Sequence, residues 1–226
     1  MSEINNNKPL VIIGSGGHAC CVKDVAHLAG FSTIGFIDRT RSKGEKINQL
    51  PILGGDELLH DISFISGHLF AVGIGSPVAR RRYGELLLKK QADCPAIVNP
   101  SSFVSPHAIL GSGVLLMGMN AVNHGARLDD FVALDWQVTI GHGAHLGSAV
   151  FAGPGSRVAG DVICGEETYL GLGCQVIERV RIGRGSLIGA GSTVTRDIPE
   201  RMVAVGSPAK AIRQHSEEEV DLGPRF

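Results

Sequence analysis

The chain has 226 residues and a formal net charge of −1 at pH 7, and only 5% of its residues are aromatic. This charge balance argues against nucleic acid or an anionic membrane surface as the main partner, and the few aromatic side chains argue against a base-stacking platform. No apolar run reaches about 18 residues, and the start, MSEINNNKP, lacks the apolar core of a signal peptide, so we expect a cytoplasmic protein. The five cysteines show no CxxC spacing, which indicates neither a disulfide framework nor a zinc site.

The first part of the chain, residues 1–97, has the pattern of a Rossmann-like α/β domain that binds a nucleotide. An apolar run over 10–13 predicts a buried strand, and a glycine turn, GSGGH, follows it directly. The elements predicted after this turn are a helix that ends at Gly30, a strand over 33–37, a strand over 69–72, a helix near 77–90 and a short strand at 96–97.

Two glycine turns in this domain follow strands, which is where ligands bind in open α/β sheets. Backbone N–H groups and a helix N-terminus at the first turn suit a phosphate, and Asp38 at the tip of the second strand suits a ribose or a base. The first turn is Gly-x-Gly-Gly rather than GxGxxG, so NAD is not implied, and a turn that only joins strand to helix is the alternative. The predicted substrate-binding residues are Gly14, Ser15, Gly16, Gly17, His18, Asp38, Arg39, Gly73, Gly75 and Ser76.

A six-residue repeat occupies residues 98–194, where every sixth residue from Val98 to Val194 is apolar. Neither the helical period of about 3.6 nor the strand period of two produces this spacing, which is typical of a parallel β-helix. Three hexads complete one coil of a triangular prism, so residues eighteen apart are equivalent on coils about 4.8 Å apart. The glycines that often follow the inward residue, such as Gly141, are expected to supply unusual backbone angles at the corners. Residues 195–226 are predicted to form a capping tail, with a flexible last stretch over 216–226.

These motifs together resemble the sialic acid O-acetyltransferase-like (NeuD/PglD/PerB-type) family of sugar acetyltransferases. The resemblance rests on GSGGH, FIDR, AVGIGS followed by Arg80-Arg81, the hexapeptide repeats and VAVGSPAKAI, and it covers about Leu10 to Ile212. It implies a left-handed parallel β-helix behind the Rossmann-like domain. It also implies that the N-terminal sheet binds a nucleotide-linked amino sugar, commonly with its amine at C4, and that acetyl-CoA lies between the subunits of a homotrimer. No metal is expected.

Acetylation of an amine by a thioester needs a general base, for which histidine is suited near neutral pH. His124 and His142 are eighteen residues apart, so they are predicted to lie on one corner of consecutive coils. The family's catalytic segment fits best with His142 as the base and His124 as the second choice. Family members carry an acidic residue directly after the base, but here that residue is Gly143, and Asp129, Asp135 or a backbone carbonyl are the candidates to replace it.

The resemblance also implies residues that contact acetyl-CoA. Phe151 stands where the family has a second histidine that contacts the thioester, and Lys210 is a candidate for the CoA phosphates, although a solvated surface charge is the simpler interpretation. The predicted acetyl-CoA-binding residues are Phe151, Gly160, Gly173, Ala190 and Lys210. His107 and His145 are expected to lie on the solvent face.

The favoured function is therefore acetyl-CoA-dependent N-acetylation of a nucleotide-linked amino sugar. O-acetylation of a sugar such as a sialic acid is an alternative within the family, and a non-catalytic nucleotide-sugar-binding protein is an alternative suggested by Gly143. A zinc hydratase of the γ-carbonic anhydrase type shares the solenoid, but it needs three converging histidines at a spacing that this sequence lacks. The sugar and its nucleotide are not determined by these patterns.

Overall fold

A five-stranded sheet with helices on both sides forms the N-terminal part of the computed structural model, which describes residues 8–215. Its elements in chain order are β1 (Leu10–Ile13), α1 (Gly17–Leu28), β2 (Thr33–Ile37), β3 (Lys46–Ile47), β4 (Leu50–Gly54), a 3-10 helix (Asp56–His60), α2 (Ile62–Gly67), β5 (Leu69–Val72) and α3 (Pro77–Lys89). The strand order is β3-β4-β2-β1-β5, and all neighbours are parallel except the β3–β4 hairpin.

Strand β1, which lies between β2 and β5, is buried on both faces, and this explains its continuous apolar run. Leu10 and Ile12 pack on the side of α1, and Val11 and Ile13 pack on the side of α2 and α3. The strands predicted over 10–13, 33–37 and 69–72 are confirmed. The β3–β4 hairpin, the 3-10 helix and α2 were missed.

Seventeen two-residue strands then build a parallel β-helix with three faces. They are β6 (Ile97–Val98), β7 (Phe103–Val104), β8 (Ile109–Leu110), β9 (Leu115–Leu116), β10 (Ala121–Val122), β11 (Arg127–Leu128), β12 (Ala133–Leu134), β13 (Thr139–Ile140), β14 (His145–Leu146), β15 (Phe151–Ala152), β16 (Arg157–Val158), β17 (Ile163–Cys164), β18 (Tyr169–Leu170), β19 (Gln175–Val176), β20 (Arg181–Ile182), β21 (Leu187–Ile188) and β22 (Thr193–Val194). The strand predicted at 96–97 is thus displaced by one residue and belongs to the prism.

The three faces of the prism repeat in strict order along the chain. Face 1 contains β6, β9, β12, β15, β18 and β21; face 2 contains β7, β10, β13, β16, β19 and β22; face 3 contains β8, β11, β14, β17 and β20. Residues eighteen apart pair between coils, as Ala121 pairs with Thr139. The inward residues from Leu116 to Val194 are at most 3% exposed, so the apolar hexad position is the core of the rod.

The glycines that follow the inward residues have a different role from the predicted one. A Cβ on Gly141 would lie 2.4 Å from the carbonyl carbon of Ala159 on the next coil, so glycine is required there by close approach of two coils. The left-handed backbone conformation occurs two residues later, with φ of +64° at Gly143. The corner therefore needs a residue without a side chain at position 141 and a residue that adopts a positive φ at position 143.

The rod ends in a hairpin of β23 (Met202–Gly206) and β24 (Ala209–Gln214), which extends face 1. This hairpin covers part of the predicted tail, and residues 216–226 lie outside the described residues. No helix within residues 8–215 is long and apolar enough to cross a membrane.

The N-terminal sheet is fixed to the prism at face 1 and at the turns that join face 3 to face 1. Helix α1 and β1 share an apolar cluster with the outward residues of face 1. Arg80 of α3 is completely buried, and its guanidinium donates hydrogen bonds to the carbonyls of Phe131 and Ala149 (2.8 Å each) and of Ile74 (2.9 Å). Burial lowers the pKa of Arg80 to about 9, so it remains a cation at neutral pH.

Candidate active site

A cleft of about 470 Å³ lies at the carboxyl ends of β1, β2 and β5. The structure brings all ten predicted substrate-binding residues to its wall: Gly14, Ser15, Gly16, Gly17, His18, Asp38, Arg39, Gly73, Gly75 and Ser76. Thr40, Arg82 and Tyr83 also line the cleft and were missed. The sequence could have indicated two of them, because Thr40 lies two residues after Asp38 and Arg82 lies in α3, the helix that follows the second glycine turn.

The two glycine turns shape the cleft by close backbone approach. Gly14 has a φ of +91°, and a Cβ there would lie 2.9 Å from the side chain of Ile74. A Cβ on Gly73 would lie 2.8 Å from the Cα of Ala19, so α1 can sit against the strand end only because residue 73 is glycine. The N-terminus of α1 has no side-chain cap and no acidic residue in its first turn. Its backbone N–H groups therefore suit an anionic phosphate.

Asp38 is held in one orientation at the mouth of the cleft. Its carboxylate accepts hydrogen bonds from the hydroxyls of Ser15 (2.5 Å) and Thr40 (2.7 Å) and from the backbone N–H of Thr40 (2.9 Å). Burial opposes ionisation, but these hydrogen bonds keep the pKa of Asp38 below its usual value. The side chain is thus an oriented anion that can accept hydrogen bonds from a nucleoside.

His18 is a half-buried histidine in the wall of the cleft. Its Nε2 has no hydrogen-bond partner among residues 8–215, and its ring meets Phe151 edge-on with centroids 6.0 Å apart. Burial, with a smaller contribution from the positive charge of Arg80, lowers the pKa of His18 to about 4. The imidazole is therefore neutral near pH 7, with one nitrogen available to a bound molecule.

The predicted base lies on the turns that join face 2 to face 3. These turns, 105–108, 123–126, 141–144, 159–162 and 177–180, are here called the histidine corner. The side chain of His142 is 72% exposed, and its Nδ1 lies 4.0 Å from Oδ1 of Asp161 on the next coil. A Cβ on Gly160 would lie 2.6 Å from Cε1 of His142, so the imidazole rests against this glycine.

The other solenoid histidines have partners of their own. His124 lies one coil before His142, and its carbonyl accepts the N–H of Gly143 at 3.0 Å. Its ring lies 4.5 Å from that of His107. On face 3, Nε2 of His145 lies 2.7 Å from Oδ2 of Asp129, so His145 is hydrogen-bonded rather than an isolated surface group. Within residues 8–215 no group of three or more histidine, cysteine or acidic side chains is arranged to hold a metal ion.

The predicted acetyl-CoA-binding residues are divided between separate parts of the prism. Gly160 lies on the histidine corner, whereas Gly173 and Ala190 lie on the turns that join face 1 to face 2, and Lys210 is exposed on β24. Phe151 lies on face 1, is 6% exposed, and stacks on Tyr169 with ring centroids 5.1 Å apart. Its ring is enclosed between the prism and the N-terminal sheet, and its contact with acetyl-CoA stays a prediction.

Comparison with known proteins gives consistent matches to sugar acetyltransferases. A family model described as the PglD N-terminal domain matches residues 9–87. The GDP-perosamine N-acetyltransferase of Escherichia coli O157:H7 is 25% identical over 164 residues, which are 73% of this chain and 65% of that protein. Among solved structures, PerB from Caulobacter crescentus, in complex with CoA and GDP-perosamine, is 32% identical with a TM-score of 0.86, covering 92% of this chain and 98% of that one. The acetyltransferase domain of PglB from Neisseria gonorrhoeae, in complex with acetyl coenzyme A, is 31% identical with a TM-score of 0.85, covering 91% and 100%.

The chain belongs to the NeuD/PglD/PerB-type family of sugar acetyltransferases. The predicted fold class, a Rossmann-like N-terminal domain followed by a left-handed parallel β-helix, is confirmed by these matches and by the strand topology.

The resemblance implies an acidic residue directly after the base, but residue 143 is glycine. Any carboxylate beside His142 must therefore come from another position. Neither of the two predicted carboxylates lies beside His142. Asp129 is held by Arg127 (2.6 Å) and His145 on face 3, and Asp135 lies on a turn between faces 1 and 2, where it accepts the N–H of Trp136. Both expectations were based on distance along the sequence and were wrong. The carboxylate that approaches His142 is that of Asp161. Asp161 lies eighteen residues after Gly143, so the repeat itself predicts that the two residues are neighbours.

Proposed function

We propose that this protein is an acetyl-CoA-dependent N-acetyltransferase that acts on the amino group, at C4, of a nucleotide-linked amino sugar, with His142 as the general base. The proposal rests chiefly on the cleft, where the glycine turns, the N-terminus of α1 and Asp38 converge in a fold shared with PerB, a protein solved with CoA and GDP-perosamine. The phosphates would lie against the backbone N–H groups of the first turn. Asp38 would accept hydrogen bonds from the ribose or the base.

The chemistry requires one proton acceptor at the attacking nitrogen. The sugar amine forms a C–N bond with the acetyl carbon, the C–S bond of the thioester breaks, and His142 takes the proton that nitrogen loses. That proton then leaves with the CoA thiol, so atoms and charges balance. The exposed imidazole on the histidine corner is accessible to two substrates at once.

We further propose that the protein is a homotrimer with active sites between subunits. The cleft adjoins face 1 and the turns between faces 3 and 1, whereas His142 lies on the corner opposite face 1. In one chain these parts face different directions, so a shared site between two chains would unite them. Exposed Met119, Trp136 and Leu172 on the turns joining faces 1 and 2 support a subunit contact beside Gly173.

Activity is tested by incubating the protein with acetyl-CoA and a panel of nucleotide-linked amino sugars, followed by mass spectrometry. We expect one amino sugar to gain an acetyl group on nitrogen, and His142→Ala to reduce kcat by at least about 100-fold. His124→Ala, one coil away on the same corner, is the matched control and should retain activity within a few-fold. Transfer to a hydroxyl would indicate the O-acetyltransferase alternative. Binding without transfer would indicate a non-catalytic protein.

Co-expression of two inactive variants tests the shared site. His142→Ala removes the base, and Asp38→Ala impairs the cleft on a different part of the chain. A shared site would combine the cleft of one subunit with the histidine corner of another. Random mixing makes each half intact in about half of the sites, so about a quarter of the active sites should be restored. No recovery would contradict a site built from two chains.

A further inference from the structure

Asp161 occupies the place of Gly143, one full coil further along the histidine corner. Both residues are third in their turn, and both have a left-handed backbone, with φ of +64° at Gly143 and +58° at Asp161. A Cβ built on Gly143 would lie 2.4 Å from Oδ1 of Asp161. The carboxylate of Asp161 therefore fills the space that a side chain at position 143 would enter.

The backbone holds this carboxylate beside His142. The N–H of Asp161 donates to the carbonyl of His142 at 2.9 Å, which fixes the two turns against each other. Oδ1 of Asp161 lies 4.0 Å from Nδ1 of His142, and Gly160 leaves room for the imidazole on the same coil. A small movement of either exposed side chain would bring them into hydrogen-bond contact.

On the proposed role of His142 as base, we infer that Asp161 is its positioning residue. It would hold the proton of the neutral imidazole on Nδ1, which leaves the lone pair of Nε2 to accept the proton of the attacking amine. The same carboxylate would stabilise the imidazolium that forms during transfer. A residue one coil away thus supplies the acid that the adjacent residue, Gly143, lacks.

Other charged or titratable groups lie on this corner or on the adjoining face 3. His124 lies one coil before His142, and its ring contacts His107. The carboxylate of Asp129 is engaged by Arg127 and His145 on face 3. Glu178 and Arg179 lie one coil beyond Asp161, where the N–H of Arg179 donates to the carbonyl of Gly160.

An exchange of the two corner residues tests the inference. Asp161→Asn keeps the shape and the backbone preference, and it should lower kcat about ten-fold while the KM for acetyl-CoA stays within two-fold. Asp161→Gly should lose activity similarly, and the double variant Gly143→Asp with Asp161→Gly should recover most of it. The exchange places aspartate and glycine at two positions that both tolerate left-handed φ. Failure of the double variant to exceed Asp161→Gly, with all variants equally stable to heat, would overturn the inference.

The titration of His142, followed by NMR, gives a readout that does not depend on turnover. In Asp161→Asn we expect the midpoint to fall, since the variant removes a carboxylate that would favour the charged imidazole. Glu178→Gln removes one negative charge from the same corner, farther from the ring, and should move the midpoint little. An unchanged midpoint in Asp161→Asn, or an equal change in Glu178→Gln, would contradict the pairing. If the wild type acetylates no amino sugar, the proposed function fails, and this titration alone decides whether Asp161 pairs with His142.

Discussion

Replacement of Arg80 by methionine tests how the nucleotide cleft is fixed to the prism. Methionine retains much of the buried aliphatic volume but removes every N–H donor of the guanidinium. The carbonyls of Phe131 and Ala149, in two buried corner turns, then lose donors at 2.8 Å, and those of Ile74 and Gly75 lose donors at 2.9 and 3.2 Å.

The expected loss in the free energy of unfolding is about 4 kcal/mol. Each buried carbonyl left without a donor costs about 1–3 kcal/mol, and two of the four acceptors belong to the buried residues Phe131 and Ala149. The other two carbonyls, near the cleft, can regain water. Removal of an isolated buried cation recovers part of its desolvation cost, which is why the expected value is below the sum of four charge-assisted hydrogen bonds.

Urea unfolding followed by circular dichroism and by the fluorescence of the single tryptophan, Trp136, measures this change. Protein concentration must be equal in all samples, because an assembled protein gains apparent stability from association. Arg82→Met is the matched control: it removes an exposed arginine from the same helix and should cost less than about 0.5 kcal/mol. If the free energies of unfolding of the two variants differ by less than about 1 kcal/mol, the hydrogen bonds of Arg80 do not fix the N-terminal sheet to the prism.

Two further predictions concern the histidines. Gly160→Ala should lower kcat about ten-fold or more with little change in stability, because its Cβ would lie 2.6 Å from Cε1 of His142 and displace the exposed ring. Gly67→Ala, in open space, is the control. Unchanged kinetics in Gly160→Ala would show that the ring position is unimportant. His18→Gln should remove a pH dependence of stability: the pKa of His18 falls to about 4 on folding, so the unfolded chain binds more protons between pH 6.5 and about 4, and stability should drop by up to about 3 kcal/mol as the pH falls through that window. The slope should be absent above pH 6.5 and should persist in His27→Gln, an exposed control; a slope that survives in His18→Gln would mean that other groups cause it.

The sequence predicted the rod and the wall of the cleft well, because both depend on local patterns. The hexad spacing identifies inward residues such as Leu134 and Ile140 without knowledge of any distant contact. The cleft residues follow parallel strands, whose carboxyl ends meet at one edge of the sheet, so Gly14, Asp38 and Gly73 were expected together and lie together. The hairpin of β3 and β4 was missed because β3 has only two residues and β4 contains Pro51, which weakens the pattern of a strand.

The sequence alone determined the position of each residue on its coil. It placed His124 and His142 on one corner and showed that residue 143 is glycine instead of the expected acid. What only the tertiary structure decided is which groups come into contact across coils and between the two parts of the chain. Asp129 is near His142 in sequence but turns to His145, whereas Asp161, a full coil away, lies beside the imidazole. Phe151 is outward by the repeat yet buried, because the N-terminal sheet covers face 1. Repeat position fixes the direction of a side chain from the backbone, but its neighbours are set by how coils stack and which face is covered.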